Sequence, residues 1–538
     1  MPERARGGPP PNILLVTTDQ QHWQALGSRT PVLRRSTTER APGRALRGRR
    51  AATEEAAPTL LRTPAMDGLA RDGARFDRAY CANPLCSPSR SSIVTGRYPS
   101  AHGCWTLGTR LPEDETTIGA LLGAAGYQTS LIGKAHFEPL RTRTDQPSLE
   151  SQPILRDLDF WRSFGGPYYG FVHVELARNH ADESHVGQHY AIWMEDRGFG
   201  SWREHFRRWP DDPSEPHRRG RWDLPLEQHY SAWTAERTIA AIDRAVAAEQ
   251  PFFSWASFHD PHPPYLVPEP YASMYDPADV VPGRLQPGEL ERMPAWTALT
   301  QADQPDFSGW QQTPWANHGF HGHKLPDDVL RQNIATYYGM ISLVDDQLAR
   351  ILEHLDRTGQ ADNTIVVFST DHGHFLGQHG LTAKGPFHYE DLLRVPLHVR
   401  WPGRVPAGLA STALQSLIDL APTLLSAAGV PVPRQMQGVD QLPVWTGAAD
   451  RARDHVIVEN RHQPSAVHLR TYIDDRYKLT LLRGRDEGEL FDLRDDPGEL
   501  CNRYDDPSFA EVRHALALRA LDREIARESS RYERISSA

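Results

Sequence analysis

The chain has 538 residues, of which 39% are hydrophobic and 24% charged, enough to bury a sizeable core. A formal net charge of −10 excludes a whole-molecule nucleic-acid binder, although a local cationic pocket for an anionic substrate fits inside an acidic protein. Four cysteines, Cys81, Cys86, Cys104 and Cys501, are too few for a disulfide framework and match no zinc-site spacing, so they read as reduced thiols.

Met1 to Pro11 is polar and lacks the apolar core of a signal peptide, and no run of eighteen apolar residues occurs anywhere. The expectation is a cytoplasmic protein without a membrane segment. Ile13 to Val16 reads as a buried strand that ends in Thr-Thr-Asp. Residues 31–58 read as a flexible insertion, because Arg34 to Arg50 carries seven arginines and no apolar period. Glu115 to Ala125 reads as a helix and Tyr127 to Ile132 as a second strand. Phe160 to Trp222 is rich in Trp, Tyr, His and Arg and has no clear period. It is expected either to wall a substrate pocket with Trp161, Tyr168, Tyr169, Trp193 and Trp222 or to form a mini-core of its own.

Phe252 to Phe258 and Thr364 to Ser369 read as further strands, and Leu392 to Val399 as a fifth. Between them Val329 to Leu355 is helical, with Ile334, Tyr337, Ile341, Val344, Leu348, Ile351 and Leu355 on one stripe. Strands alternating with helices predict an α/β fold with a mostly parallel sheet covered on both faces. Ligands bind beyond the carboxyl ends of such strands, where Asp19, Lys134, His259 and Asp371 stand. From about Trp445 the pattern changes to short strands, His455 to Glu459, Ala466 to Tyr472 and Tyr477 to Leu482, and then a helix from Phe509 to Arg527. The predicted division is therefore 1–444 for a large α/β domain and 445–538 for a smaller antiparallel sheet plus helix.

Cys86-Ser-Pro-Ser-Arg90 is followed by Ser91-Ser-Ile-Val-Thr-Gly-Arg97. This segment resembles the sulfatase family, whose signature is Cys-x-Pro-x-Arg and then a Ser/Thr-Gly-Arg segment. Further matches come in the family's order: Asp19-Gln20, Gly133-Lys-Ala-His136, His262 within Asp260-Pro-His-Pro-Pro264, Ser369-Thr-Asp-His-Gly373 and Lys384. In the tail Arg476-Tyr-Lys478, Glu489-Leu-Phe-Asp492 and Asp496-Pro-Gly-Glu499 also resemble the family.

The resemblance implies an alkaline-phosphatase-like sheet sandwiched by helices, and hydrolysis of a sulfate ester to inorganic sulfate and an alcohol. It implies that a formylglycine-generating maturation enzyme oxidises Cys86 to 3-oxoalanine (formylglycine), the nucleophile. A hydrated aldehyde is useful there because one hydroxyl attacks sulfur and the second expels sulfate, whereas a serine would be left as a stable ester. Arg90, Lys134, His136, His262 and Lys384 then take catalytic and sulfate-binding roles. Asp19, Gln20, Asp371 and His372, beside Cys86, hold one divalent metal. A donor set dominated by hard oxygens suits Ca²⁺, Mg²⁺ or Mn²⁺, and the family precedent puts Ca²⁺ first. The expected partner is a small-molecule or saccharide sulfate ester, with no nucleic acid, and a homo-oligomer is compatible with this reading. Gln20 stands where many sulfatases have a second aspartate. That departure keeps a second reading open, a phosphonate monoester or phosphodiester hydrolase with the same nucleophile. A catalytically idle binding protein would have lost some of Cys86, Arg90, Asp371 and Lys384, and none is lost.

Overall fold

Residues 9–30, 60–178, 185–206, 222–310, 319–462 and 467–528 are described by a computed structural model. The expected insertion at 31–58 lies outside them. The principal elements are β1 (Asn12–Thr18), α1 (Pro64–Arg71), β2 (Ala74–Phe76), α2 (Cys86–Thr95), α3 (Ile118–Ala124), β3 (Gln128–Gly133) and β4 (His173–Leu176). They continue with α4 (Tyr230–Ala247), β5 (Phe252–Ser257), α5 (Asp327–Arg357), β6 (Thr364–Thr370), β7 (Leu397–Arg400), β8 (Leu409–Ser411) and α6 (Leu420–Ala427). Four strands and a helix close the chain: β9 (Val456–Arg461), β10 (His468–Ile473), β11 (Tyr477–Leu482), β12 (Gly488–Asp492) and α7 (Ala510–Ala526).

Strands β1, β5 and β6 are buried along their whole length. Their alternate side chains enter two different cores, because successive residues of a strand point to opposite faces. Ile13, Leu15, Phe253, Trp255, Ile365 and Val367 pack with Ile93 and Val94 of α2, Leu122 of α3 and Leu424 of α6. Leu14, Val16, Phe252, Ala256, Val366 and Phe368 pack instead with Met66 of α1, Ile242 of α4 and Ile341, Val344 and Leu348 of α5. Burial of each such side chain contributes about 1.5–3 kcal/mol. This two-sided burial is why the strands read as unbroken apolar runs.

Among the described residues eight strands form the main sheet, in the order β8-β2-β7-β6-β1-β5-β3-β4. From β6 to β4 all neighbours run parallel, and β7 alone is antiparallel to both of its partners. The expected α/β class with a large mixed sheet between helices is borne out. The register aligns the strand ends: Thr18 lies opposite Thr370, and Ser257 opposite both Thr17 and Gly133. Asp19, Lys134 and Asp371 therefore follow their strands at one edge.

The smaller sheet is an antiparallel meander, β9-β10-β11-β12, with Leu516 and Ala520 of α7 on its face. One expectation is corrected. Leu392 to Val399 is not one strand: Arg394–Val395 pairs with Ala79–Tyr80, Pro396 interrupts, and Leu397–Arg400 joins the main sheet. Proline has no N–H for a ladder. The described aromatic residues of Phe160 to Trp222 pack into cores, the second of the two arrangements expected for this stretch. Trp193 and Trp222 pack with Tyr190, Trp202, Phe206 and Trp233 in a separate small core. Trp161, Tyr168 and Tyr169 belong to the main core, where the indole of Trp161 donates to Ile154 O at 2.7 Å.

Candidate active site

Helix α2 begins at Cys86 because Asn83 arrests the chain just before it: Asn83 Oδ1 accepts from Leu85 N at 2.9 Å and its amide donates to Glu459 O of β9. Pro88 is tolerated in the first turn, whose N–H groups have no partner within the helix. Gly96, in the left-handed conformation, ends the helix. The Cys86 side chain thus stands at a helix N-terminus, where the backbone dipoles favour an anion.

Around the Cys86 sulfur lie Lys384 Nζ at 3.0 Å, His372 Nε2 at 3.2 Å and Asp19 Oδ1 at 3.5 Å. All four residues are buried. Burial and Asp19 push the thiol up, but Lys384 and Lys134 prevail and hold it below its ordinary value. For Asp19, burial alone would favour protonation. Lys134, Arg90 and Lys384 outweigh it and hold the carboxyl well below the usual range.

Arg90 faces inward and is fully buried. Its Nε donates to Asp371 Oδ2 at 2.9 Å, and Nη1 donates to Ser257 Oγ at 2.6 Å and Lys134 O at 3.0 Å. It therefore ties the ends of β3, β5 and β6 to α2. Lys134 Nζ donates to Asp19 Oδ2. Gly133 precedes it at φ 100°, and a Cβ there would lie 2.1 Å from Ser257 O, so only glycine lets β3 and β5 close at this edge.

Three non-glycine residues hold left-handed backbone beside the site: Gln20 at φ 65°, His136 at φ 59° and Ala383 at φ 57°. Such conformations cost about 1–3 kcal/mol each unless the surroundings impose them. Here Gln20 N donates to Asp371 Oδ1 at 2.9 Å, His136 N donates to Glu150 Oε2 at 2.9 Å, and Ala383 pairs with Phe375.

Asp19, Cys86, Asp371 and His372 offer donor atoms within 4.8 Å of one another. His372 Nδ1–H donates to Gly373 O at 2.9 Å, which leaves Nε2 as a ligand lone pair. Gln20 adds an observation of its own. Its Nε2 donates to His374 Nδ1 at 2.7 Å and His374 Nε2 bonds Tyr265 at 3.0 Å, while the buried Gln20 Oε1 finds no donor among the described residues. Two carboxylates, one orphaned carbonyl oxygen and one imidazole fit a hard divalent ion.

The two histidines expected in catalytic roles, His262 and His136, both stand beside the cationic side chains of the site. Burial and Lys384 hold His262 well below its ordinary value, and its Nε2 lies 3.2 Å from Lys384 Nζ, accepting from the ammonium. His136 is held low by burial, Arg178 and Lys134. In this arrangement both are neutral acceptors on these nitrogens. Arg178 was not singled out by any motif. Its Nη2 donates to His136 Nε2 at 3.0 Å, and Nη1 lies 3.5 Å from Glu150. Glu150, also unmarked in the sequence, accepts from His136 N, Phe137 N, Glu138 N and Tyr168 Oη. One Arg among the many of the aromatic stretch and a Glu 16 positions after Lys134 carry no local signal. The other expected neighbours support: His259 donates to Ala177 O, and His379 pairs with Glu289 and Asp391.

Comparison with known proteins follows from this geometry. The family model described as Sulfatase matches residues 11–430, and one described as N-sulphoglucosamine sulphohydrolase, C-terminal, matches residues 377–526. The multifunctional alkaline phosphatase superfamily protein PehA of Trinickia caryophylli is 28% identical over 550 residues, 95% of this chain and 94% of that protein. The N-acetylglucosamine-6-O-sulfatase of Bacteroides thetaiotaomicron is 26% identical, covering 85% of this chain and 81% of its own. The phosphonate monoester hydrolase of Agrobacterium radiobacter shares the fold, with a TM-score of 0.74 at 24% identity and 98% of each chain covered.

Proposed function

The chain belongs to the sulfatase family, and from that premise we propose that it hydrolyses a sulfate ester with a nucleophile made from Cys86. The observation that carries the proposal is the Cys86 side chain at a helix N-terminus with Lys384, His372 and Asp19 within 3.5 Å. Oxidised to formylglycine by a maturation enzyme, Cys86 supplies a hydrated aldehyde as nucleophile, and a divalent ion held by Asp19, Gln20, Asp371 and His372 supplies Lewis-acid polarisation, Ca²⁺ being the first choice. Lys134 and Lys384 provide fixed positive charge for the tetrahedral anion, preorganised in a site closed to water. Arg90 holds the Asp371 carboxyl in place through its Nε. His262 and His136 accept from Lys384 and Arg178, and His262 Nδ1 donates to Pro263 O, so these contacts fix the ring orientations beside the nucleophile.

The sulfated saccharide acted on by the Bacteroides relative supports a saccharide ester as the substrate class. Gln20 favours a second reading, a phosphonate monoester or phosphodiester as substrate, because a neutral amide replaces a second carboxylate and changes the charge seen by the transferred group. Rates on p-nitrophenyl sulfate and on a p-nitrophenyl phosphonate monoester rank the two. Intact mass of the Cys86 peptide tests the nucleophile. Active protein is expected to be lighter than the cysteine form by roughly 18 daltons, a thiol being replaced by a carbonyl, and Cys86→Ala to be folded and inactive. Full turnover by that variant overturns the proposal.

A further inference from the structure

Away from the site just described, a cavity of about 420 Å³ is lined by Trp23, Gln24, Ser28, Arg29, Arg75, Asp77 and Arg394. Three guanidiniums converge there on a single lining carboxylate. Arg29 donates to Asp77, Arg75 Nε lies 2.9 Å from Asp77 Oδ1, and Arg394 spends its contact with this residue on the Asp77 carbonyl. Glu390 approaches Arg394 from outside the cavity at 3.7 Å, but Lys478 faces that carboxylate at 3.6 Å. Among the described residues, positive charge in the cavity is therefore under-compensated by at least one unit.

The donors are also under-used. Arg29 Nε, Arg394 Nε and Trp23 Nε1 are buried and find no acceptor among the described residues. Two cations lie over the indole ring, with Arg394 3.7 Å and Arg29 5.2 Å from its centroid. Those contacts hold the two guanidiniums in place and leave their edges for a ligand. Burial, with Arg394 and Arg75 adding to it against Asp77, pulls Arg29 below its ordinary value, as expected where like charges are crowded.

We propose that this cavity is a second anion site, which takes a tetrahedral oxyanion, sulfate or phosphate, free or carried on a larger molecule. The donor set matches the ligand: planar forks bind two oxyanion edges and the indole N–H a further oxygen. Trp23 follows Asp19 by four positions, so the cavity wall lies within roughly 14 Å of that Cα along the chain. A second sulfate on an extended substrate is thus one source and inorganic oxyanion the other.

The test uses the full-length protein and separates this cavity from the catalytic one. Selenate soaked into crystals is expected to give an anomalous selenium peak within hydrogen-bonding distance of Arg29, Arg75 or Arg394. By calorimetric titration with inorganic sulfate, Arg394→Met is expected to weaken one binding class about tenfold, about 1.4 kcal/mol, while inhibition of turnover by sulfate is unchanged. Asp77→Asn gives the opposite sign. Removing the lone carboxylate lowers the melting temperature in sulfate-free buffer, and sulfate restores it with a tighter apparent Kd than in the parent chain. Comparing a monosulfated with a disulfated saccharide as substrate shows the source: a KM advantage for the disulfated ester that Arg394→Met abolishes places the anion on the substrate, and its absence assigns the cavity to the free ion. The proposal is overturned if selenate occupies only the Cys86 site, or if Arg394→Met and Asp77→Asn both bind sulfate as the parent does.

Discussion

Replacing Lys384 by methionine separates activity from stability. The ammonium is buried and lies 3.0 Å from Cys86 Sγ and 3.2 Å from His262 Nε2, with no carboxylate within 4.0 Å among the described residues. A hydrogen bond to a charged group contributes about 1.5–3 kcal/mol. If the contact to the nucleophile is expressed in the transition state, its loss lowers kcat/KM by about 10- to 150-fold. The fold should respond in the other direction. Holding an ammonium out of water costs several kcal/mol, and here only the longer-range attraction of Asp19 offsets it, without a contact ion pair. Methionine has nearly the same length and no charge. The melting temperature of Lys384→Met is thus expected to equal or exceed that of the parent chain, measured by calorimetry beside kinetics on p-nitrophenyl sulfate. A variant within threefold of parental kcat/KM, or one several degrees less stable, would refute the reasoning.

Arg178→Met should lower kcat/KM about tenfold by freeing the His136 ring, and Arg178→Lys should not restore it, because an ammonium cannot bridge His136 and Glu150 as the fork does. Trp202→Ala should cost about 3–5 kcal/mol of stability and reduce specificity constants on a small and a large sulfate ester by one common factor, since Trp202 belongs to the small core. For His379, burial opposes the charge, but Asp391 and Glu289 outweigh it and raise the imidazole to about 9 from 6.5. A raised folded value stabilises fully below pH 6.5 and is lost as pH climbs toward about 9, a change on the order of 3 kcal/mol. Denaturant titrations from pH 6 to 9.5 should show that decline, and His379→Gln should flatten it.

The central strands were legible because both their faces are buried, which makes them continuous apolar runs such as Ile13 to Val16 and Thr364 to Ser369. The long helix was legible because its stripe repeats over about six turns. Leu392 to Val399 was misread because its apolar content hides Pro396, which transfers the chain from one small sheet to the main one. The described parts of Phe160 to Trp222 have no period because they fold as short pieces divided between two cores: Leu158–Ser163 and β4 on the main core, Gln188–Asp196 and Trp202–Phe206 on the small aromatic one. In the site, residues within motifs were readable one by one. Glu150 and Arg178 were not, because their work is to hold backbone N–H groups and a ring nitrogen, and that work leaves no spacing in the chain.

Cys86 is 1% exposed, and Lys384, which lies against its sulfur, is 298 positions further along the chain. A ribosome adding about 5–20 residues per second needs roughly 15–60 s to make that span. An enzyme that must grip the Cys86 segment has that interval, or a chain still held open afterwards, in which to work. Once β6 inserts beside β1 and brings Asp371, His372 and then Lys384 over the helix N-terminus, the thiol is sealed. Order of synthesis thus sets a deadline on the oxidation that the proposed nucleophile requires. A cell that folds this chain faster than it oxidises it accumulates a well-formed protein with a thiol in place of its nucleophile.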